Sequence, residues 1–366
     1  MSNVDRTWVA FESGTAPRYR FGSYPHQGVY HRLAGIRPKV AFIATHHVVD
    51  FSDHYMATPL AQRGFGFLGW NTRYQGDGAY FHLEHALIDI GLGVKWLREE
   101  AGVDTVVLLG NSGGGSLMAT YQAQASNPHT LGTSNVPGLS PGDFYVSVNA
   151  HQGRPDVLTA WMDPAVVDEN DLLATDPSLD MFDPDNGPPY SDAFVARYRQ
   201  AQRDRNDRIT AWAREELARL REIGISDRMF LINRLWADLR FVDLTIDPSD
   251  RRPGCYWGDP KVANFGSFGV ATSCTLRSWL SMWSLETAQC RGGAHLRNIA
   301  VPSLVVQSTG DQGVFPSDAR EIFDCLGAED KTFELVRGTH YFEGDDSALR
   351  DVIELIADWT TKHASI

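Results

Sequence analysis

Ser112 stands in the run Gly110-Asn111-Ser112-Gly113-Gly114-Gly115, so it occupies the centre of a Gly-x-Ser-x-Gly pattern. A serine hydroxyl is a weak nucleophile at neutral pH. It needs a base within hydrogen-bond reach, and that base needs an acid to orient it. The pattern gains meaning from its flanks. The apolar run Asp104-Thr-Val-Val-Leu-Leu109 reads as a buried strand entering it, and Ser116 to Ala125 is compatible with a helix leaving it. A strand, a sharp turn and a helix is the setting in which this motif presents a nucleophile above a sheet.

The elements that must hold such a serine can be followed along the chain. Thr7-Trp-Val-Ala-Phe11 and Tyr19-Arg-Phe21 read as edge strands, and Lys39 to Ala44 as a buried parallel strand ending at Thr45-His46-His47. A helix over about 53–63 and a strand from Gly66 to Trp70 follow. Between Phe81 and Glu100, Leu83, Ala86, Leu87, Ile90, Val94 and Leu97 recur at helical spacing, and Gly102 ends the run. Phe144 to Val148 is the next strand. This alternation predicts a doubly wound, mostly parallel α/β sheet.

The rhythm breaks near 151. Residues 156–189 are rich in Asp, Pro and Asn, 192–223 read as one or two charged amphipathic helices, and 250–292 is dense in Trp, Phe, Gly and Cys. Alternation resumes with Ser303 to Gln307, a helix over 316–326, Thr332 to Val336 and a closing helix over 347–363. The expected organisation is a core of 1–150 and 297–366, interrupted by a mainly helical insertion of 151–296.

The elbow and its flanks resemble the α/β-hydrolase family, and the insertion resembles the cap of many of its members. In that fold the acid and then the histidine follow the serine. The resemblance therefore implies Asp311, in the loop Ser308-Thr309-Gly310-Asp311 after a strand, as the orienting acid. It implies His340, in Gly338-Thr339-His340 after the last strand, as the base. The oxyanion of the tetrahedral intermediate would be met by the N–H of Gly113 and by a second N–H from the loop after the early strand. The family often has His-Gly there; this chain has His46-His47, which leaves His47 or Val48 as the second donor. Asn71-Thr72-Arg73 replaces an Asp-x-Arg common among relatives, with a structural role expected.

The implied chemistry is hydrolysis of a carboxylic ester through an acyl-enzyme. The insertion's aromatic residues divide between a small core and an apolar roof; Trp257, Phe268, Trp279 and Trp283 are the roof candidates. They point to a small-molecule ester with a bulky alkyl or aromatic group. Ala44-Thr-His-His-Val-Val-Asp50 and Leu68-Gly-Trp-Asn-Thr-Arg-Tyr74 resemble bacterial hydrolases of aromatic esters, and that resemblance implies a phthalate-type ester among the substrates. Carbon–carbon hydrolysis of a diketone, or lactone or amide hydrolysis, uses the same residues and stays open. A non-catalytic binding protein would have no need of all three groups.

Other signals are discounted. His46, His47, Asp50, Asp53 and His54 lack the spacing of a metal site, so no metal and no cofactor are expected. The glycine run lacks the Gly-Lys-Ser/Thr of a phosphate loop and matches a dinucleotide fingerprint poorly. Glu84, near Asp77 and His82, reads as favouring a helix N-terminus. The net charge of −13 counts against a nucleic-acid partner. Neither a signal-peptide pattern nor a membrane-spanning run is seen, and Cys255, Cys274, Cys290 and Cys325 have no metal-ligand spacing. Buried free thiols and a cytoplasmic location are the expectation, with one disulfide within 255–290 and the oligomeric state left open.

Overall fold

The computed structural model describes residues 3–12, 25–128, 136, 138–266 and 272–365. Its first part runs β1 (Val4–Glu12), β2 (Pro25–Leu33), β3 (Val40–Ala44), α1 (Ala57–Gln62), β4 (Gly66–Asn71), α2 (Leu83–Trp96), β5 (Thr105–Ser112), α3 (Gly114–Ser126) and β6 (Phe144–Ala150). A middle segment follows: α4 (Arg154–Trp161), α5 (Asp192–Glu222), β7 (Met229–Leu231), α6 (Pro260–Phe265), β8 (Ser273–Thr275), α7 (Leu276–Ser278) and α8 (Gly292–Leu296). The chain closes with β9 (Ser303–Ser308), α9 (Pro316–Cys325), β10 (Lys331–Val336) and α10 (Asp346–Ala364).

Eight strands form one sheet in the order β1-β2-β4-β3-β5-β6-β9-β10. β2 is antiparallel to β1 and to β4, and from β4 to β10 every pairing is parallel. The central strands are buried along their whole length because helices cover both faces, which is why they read as unbroken apolar runs. Successive side chains go to opposite faces. Val40, Phe42, Val107 and Leu109 pack with α1 and α10, whereas Ala41, Ile43, Val106 and Leu108 pack with α2, α3 and α9.

Two departures from expectation have plain causes. β2 was not anticipated because its buried positions include His26 and His31. His26 lies 3.0 Å from Asp89, the carboxylate that Arg73 grips at 2.6 Å, so this strand's buried histidine faces a polar partner distant in sequence. That pairing also gives Arg73 the structural role expected of its segment. The expected edge strand Tyr19–Phe21 lies outside the described residues.

Residues 151–302 supply no described strand to the large sheet; β7 and β8 pair only with each other. The charged stretch forms a single 31-residue helix, α5, capped by the Ser191 side chain accepting from the Phe194 N–H. Its buried stripe includes Gln202, Arg205 and Asn206, each bonded to a neighbouring loop. The segment shares one apolar cluster with α2 and α3, and Arg240 ties it to α9 by bridging Asp238 and Asp318. All four cysteines are unpaired, and three are buried.

Candidate active site

β5 ends at Ser112, whose φ of +55° lies in the left-handed region that non-glycine residues seldom occupy. Such strain persists only where surroundings enforce it. Here α3 starts so close to β5 that a Cβ on Gly110 would stand 2.7 Å from Gly115 Cα. One on Gly114 would meet the Thr45 carbonyl. The glycines permit the close approach, and the tight turn lifts Ser112 to the carboxyl edge of the sheet.

The other two expected residues meet there. Asp311 follows β9 and His340 follows β10, and Asp311 Oδ2 lies 2.6 Å from His340 Nδ1. Both are almost fully buried. Asp311 Oδ1 accepts from the N–H groups of Gly313 (2.9 Å) and Val314 (3.0 Å) and from the Tyr256 hydroxyl (3.2 Å). A carboxylate held by that many donors is fixed in orientation, and it fixes the imidazole in turn. His340 Nε2 is buried without a hydrogen-bond partner and its ring lines the same cavity as Ser112. The Ser112 side chain instead bonds that of Tyr341, whose phenol is pushed up by burial.

Two neighbours, Asn149 and Arg154, went unnoticed in the sequence, and Tyr256 was legible there only as one of the insertion's aromatic residues. Asn149, at the end of β6 with φ +46°, donates to the His340 carbonyl and to Ser308 Oγ, both at 2.8 Å, and accepts from the Ser308 N–H at 2.7 Å. It clamps the end of β9 to the loop that carries His340. Tyr256 comes from the middle segment, and burial together with the Asp311 charge holds its phenol well above the usual range. Arg154, the first residue of α4, lines the cavity with a buried guanidinium. An asparagine directly after the apolar run Phe144 to Val148 was a readable signal for Asn149; Arg154 had none.

The cavity has a volume of about 380 Å³ and an aromatic wall. Trp161 stacks on Trp236 at 4.9 Å between ring centres, and Trp257 and Tyr256 stand edge-on to Trp236. Of the four expected roof residues, Trp257 lines this cavity. Trp279 and Trp283 do not. Both are fully buried and stack parallel in a turn against α5, where the Trp279 indole donates to Thr210. They belong to the core because the wider turn over Trp279–Trp283 points them inward. Phe268 lies outside the described residues.

In the loop after β3, His46 Nδ1 accepts from the N–H groups of Val48 (3.2 Å) and Val49 (3.1 Å). The Val48 N–H is thus engaged locally, and the His47 ring bonds the Gly113 backbone. Burial, followed by the charge of Arg154, holds His46, His47 and His151 well below the usual histidine range. The remaining residues of that polar cluster separate: His54 meets Asn111, Asp50 holds Ser52 and Asn71, and Asp53 pairs with Arg6. Among the described residues no group of three or more His, Cys, Asp or Glu is arranged to hold a metal. Glu84, in the first turn of α2, borders a different groove. No described helix is long and apolar enough to cross a membrane.

A mostly parallel eight-stranded sheet, with a serine at a strained strand–helix turn and the Asp–His pair on the two following edge loops, is the α/β-hydrolase fold. Solved structures bear this out. The chain is similar to the α/β hydrolase GrgF from Penicillium sp. sh18, with a TM-score of 0.54 and 13% identity, over 99% of this chain and 100% of that one. It is equally similar to DcsB, solved in complex with its substrate analogue, with a TM-score of 0.54 and 14% identity over 98% and 99%. No protein-family model matches the chain, and no curated protein sequence does.

Proposed function

We propose that this protein is a serine hydrolase that cleaves, through an acyl-enzyme, a carboxylic ester of a small molecule with a bulky alkyl or aromatic group. The observation that carries the reading is the 2.6 Å Asp311–His340 pair beside a strained Ser112 in one aromatic cavity. In the reaction, Ser112 Oγ attacks the ester carbonyl and His340 Nε2 takes the hydroxyl proton. The N–H groups of Gly113 and His47 hold the oxyanion. As the tetrahedral intermediate collapses, His340 returns the proton to the departing alcohol. Water, deprotonated by His340, then attacks the acyl-enzyme, and a second collapse releases the acid and restores Ser112.

Residues 151–296 act as a cap in this reading. The aromatic wall of Trp161, Trp236 and Trp257 supports an alkyl or aromatic group on the ester, phthalate-type esters included, because aromatic side chains bind such groups by shape and burial. The unpaired cysteines support a cytoplasmic location.

The test is hydrolysis of p-nitrophenyl acetate and butyrate by wild type and Ser112→Ala, with covalent labelling by a fluorophosphonate. Wild type turns over and is labelled; the variant loses about 10⁴-fold or more in kcat and is not labelled. Equal rates in the two proteins overturn the reading.

A further inference from the structure

Among the described residues the buried arginines are saturated, with one exception. Arg73 holds Asp89, Arg205 holds Glu169, Arg234 holds Asp163, and Arg240 holds Asp238 and Asp318. Arg251 donates to backbone carbonyls of its own loop. Arg154 is 1% exposed, yet its Nε and Nη2 have no hydrogen-bond partner, and no described carboxylate lies within ion-pairing distance. A guanidinium taken out of water without a counter-charge is costly, and proteins normally pair it.

The surroundings offer nothing to neutralise it. Burial lowers Arg154 only to about 10, so it is cationic at neutral pH. His46, His47 and His151 are held neutral, and burial pushes the Cys290 thiol up. Asp311 is committed to His340, Asp156 pairs with Arg291, and Glu343, on the exposed rim, bonds Thr339 and the Tyr341 N–H.

Position narrows what would complete the site. Arg154 Nη1 lies 3.0 Å from where a Cβ on Gly113 would be, next to the proposed oxyanion donor. Both ring nitrogens of His151 and the Trp161 indole N–H are also buried without partners, and both residues line this cavity. The guanidinium fork matches a carboxylate in a two-point bond, whereas a neutral ester leaves it unpaired.

We infer that the substrate carries a carboxylate a few bonds from its scissile carbonyl, held by Arg154 with His151 and Trp161 beside it. The chemical class is a half-ester of a short or aromatic dicarboxylic acid. This rests on the ester-hydrolase reading above.

The test compares monoethyl succinate with ethyl butyrate, and monoethyl phthalate with ethyl benzoate, by pH-stat. Wild type favours the half-ester in at least one pair by about tenfold or more in kcat/KM. Arg154→Met abolishes that preference, chiefly through KM, and Arg154→Lys restores part of it. Separately, millimolar succinate or phthalate raises the melting temperature of Ser112→Ala, and Ser112→Ala/Arg154→Met shows no such rise. The melting arm needs no turnover, so failure of the ester reading is seen apart from failure of this one. Three results overturn the inference: no half-ester preference in wild type, equal loss on charged and neutral esters in Arg154→Lys, or no stabilisation of Ser112→Ala by either dicarboxylate. These hold even if the methionine variant does not fold.

Discussion

The hydroxyl of Tyr256 lies 2.9 Å from His340 Nδ1, the nitrogen that also faces Asp311 at 2.6 Å. With the Nδ1 proton directed to Asp311 Oδ2, the phenol donates to Oδ1 and its oxygen accepts a minor share of the imidazole N–H. A residue of the middle segment therefore touches the acid–base pair itself. Tyr256→Phe removes one of several donors to the carboxylate and lowers kcat/KM on p-nitrophenyl butyrate about fivefold, the value of one hydrogen bond. Asp311→Asn takes away the charge and the tautomer control, and costs about 10³–10⁴-fold. Comparable losses in the two variants would refute this division of roles.

Asn149 makes four side-chain bonds that join Ser308 to the His340 loop. Asn149→Ala leaves buried polar groups unpaired and lowers stability by about 2–4 kcal/mol in urea unfolding. It also lowers kcat more than it raises KM, because the base is displaced while the pocket wall stays. A variant as stable as wild type would contradict the clamp.

Trp279 and Trp257 separate core from cavity. Trp279 is fully buried, so Trp279→Ala costs about 3–5 kcal/mol of stability. Trp257 is 51% exposed and lines the site, so Trp257→Ala changes KM for bulky esters severalfold with a melting temperature within a few degrees of wild type. Melting curves and a substrate series on both variants decide it; the reverse pattern would move Trp279 into the pocket.

Acid sensitivity follows from the buried histidines. Burial pulls His54 down to about 4, against about 6.5 in the unfolded chain. Above pH 7 neither state binds its proton. Below about 6.5 the unfolded chain takes one up while the folded protein does not, so stability falls by about 1.4 kcal/mol per pH unit from this group. The loss levels off near pH 4, after about 3 kcal/mol. His46, His47 and His151 shift the same way and add to it. The melting temperature therefore drops steadily from pH 7 to pH 5 in a calorimetric series, whereas a flat profile would rule this out.

The nucleophile turn and the parallel strands were legible because their causes are local. Glycines around Ser112 relieve a contact within one strand–helix unit, and strands buried on both faces must be apolar throughout. The spacing of Asp311 and His340 followed from chain order alone. β2 and the inner stripe of α5 were not legible. They bury His26, Gln202, Arg205 and Asn206 against partners distant in sequence, and no periodicity reports a buried polar residue whose partner is unknown.

The same limit governs the site. Sequence by itself determined that a serine, an acid and a histidine stand in an order the fold can bring together, since each sits at the end of a strand. Tertiary structure decided which tryptophans face the cavity and which stack in the core, that Tyr256 reaches the acid–base pair, and that Arg154 is buried without a carboxylate. Those outcomes depend on which surfaces the middle segment and the sheet bury against each other, a property of the packed whole that no stretch of the chain carries alone.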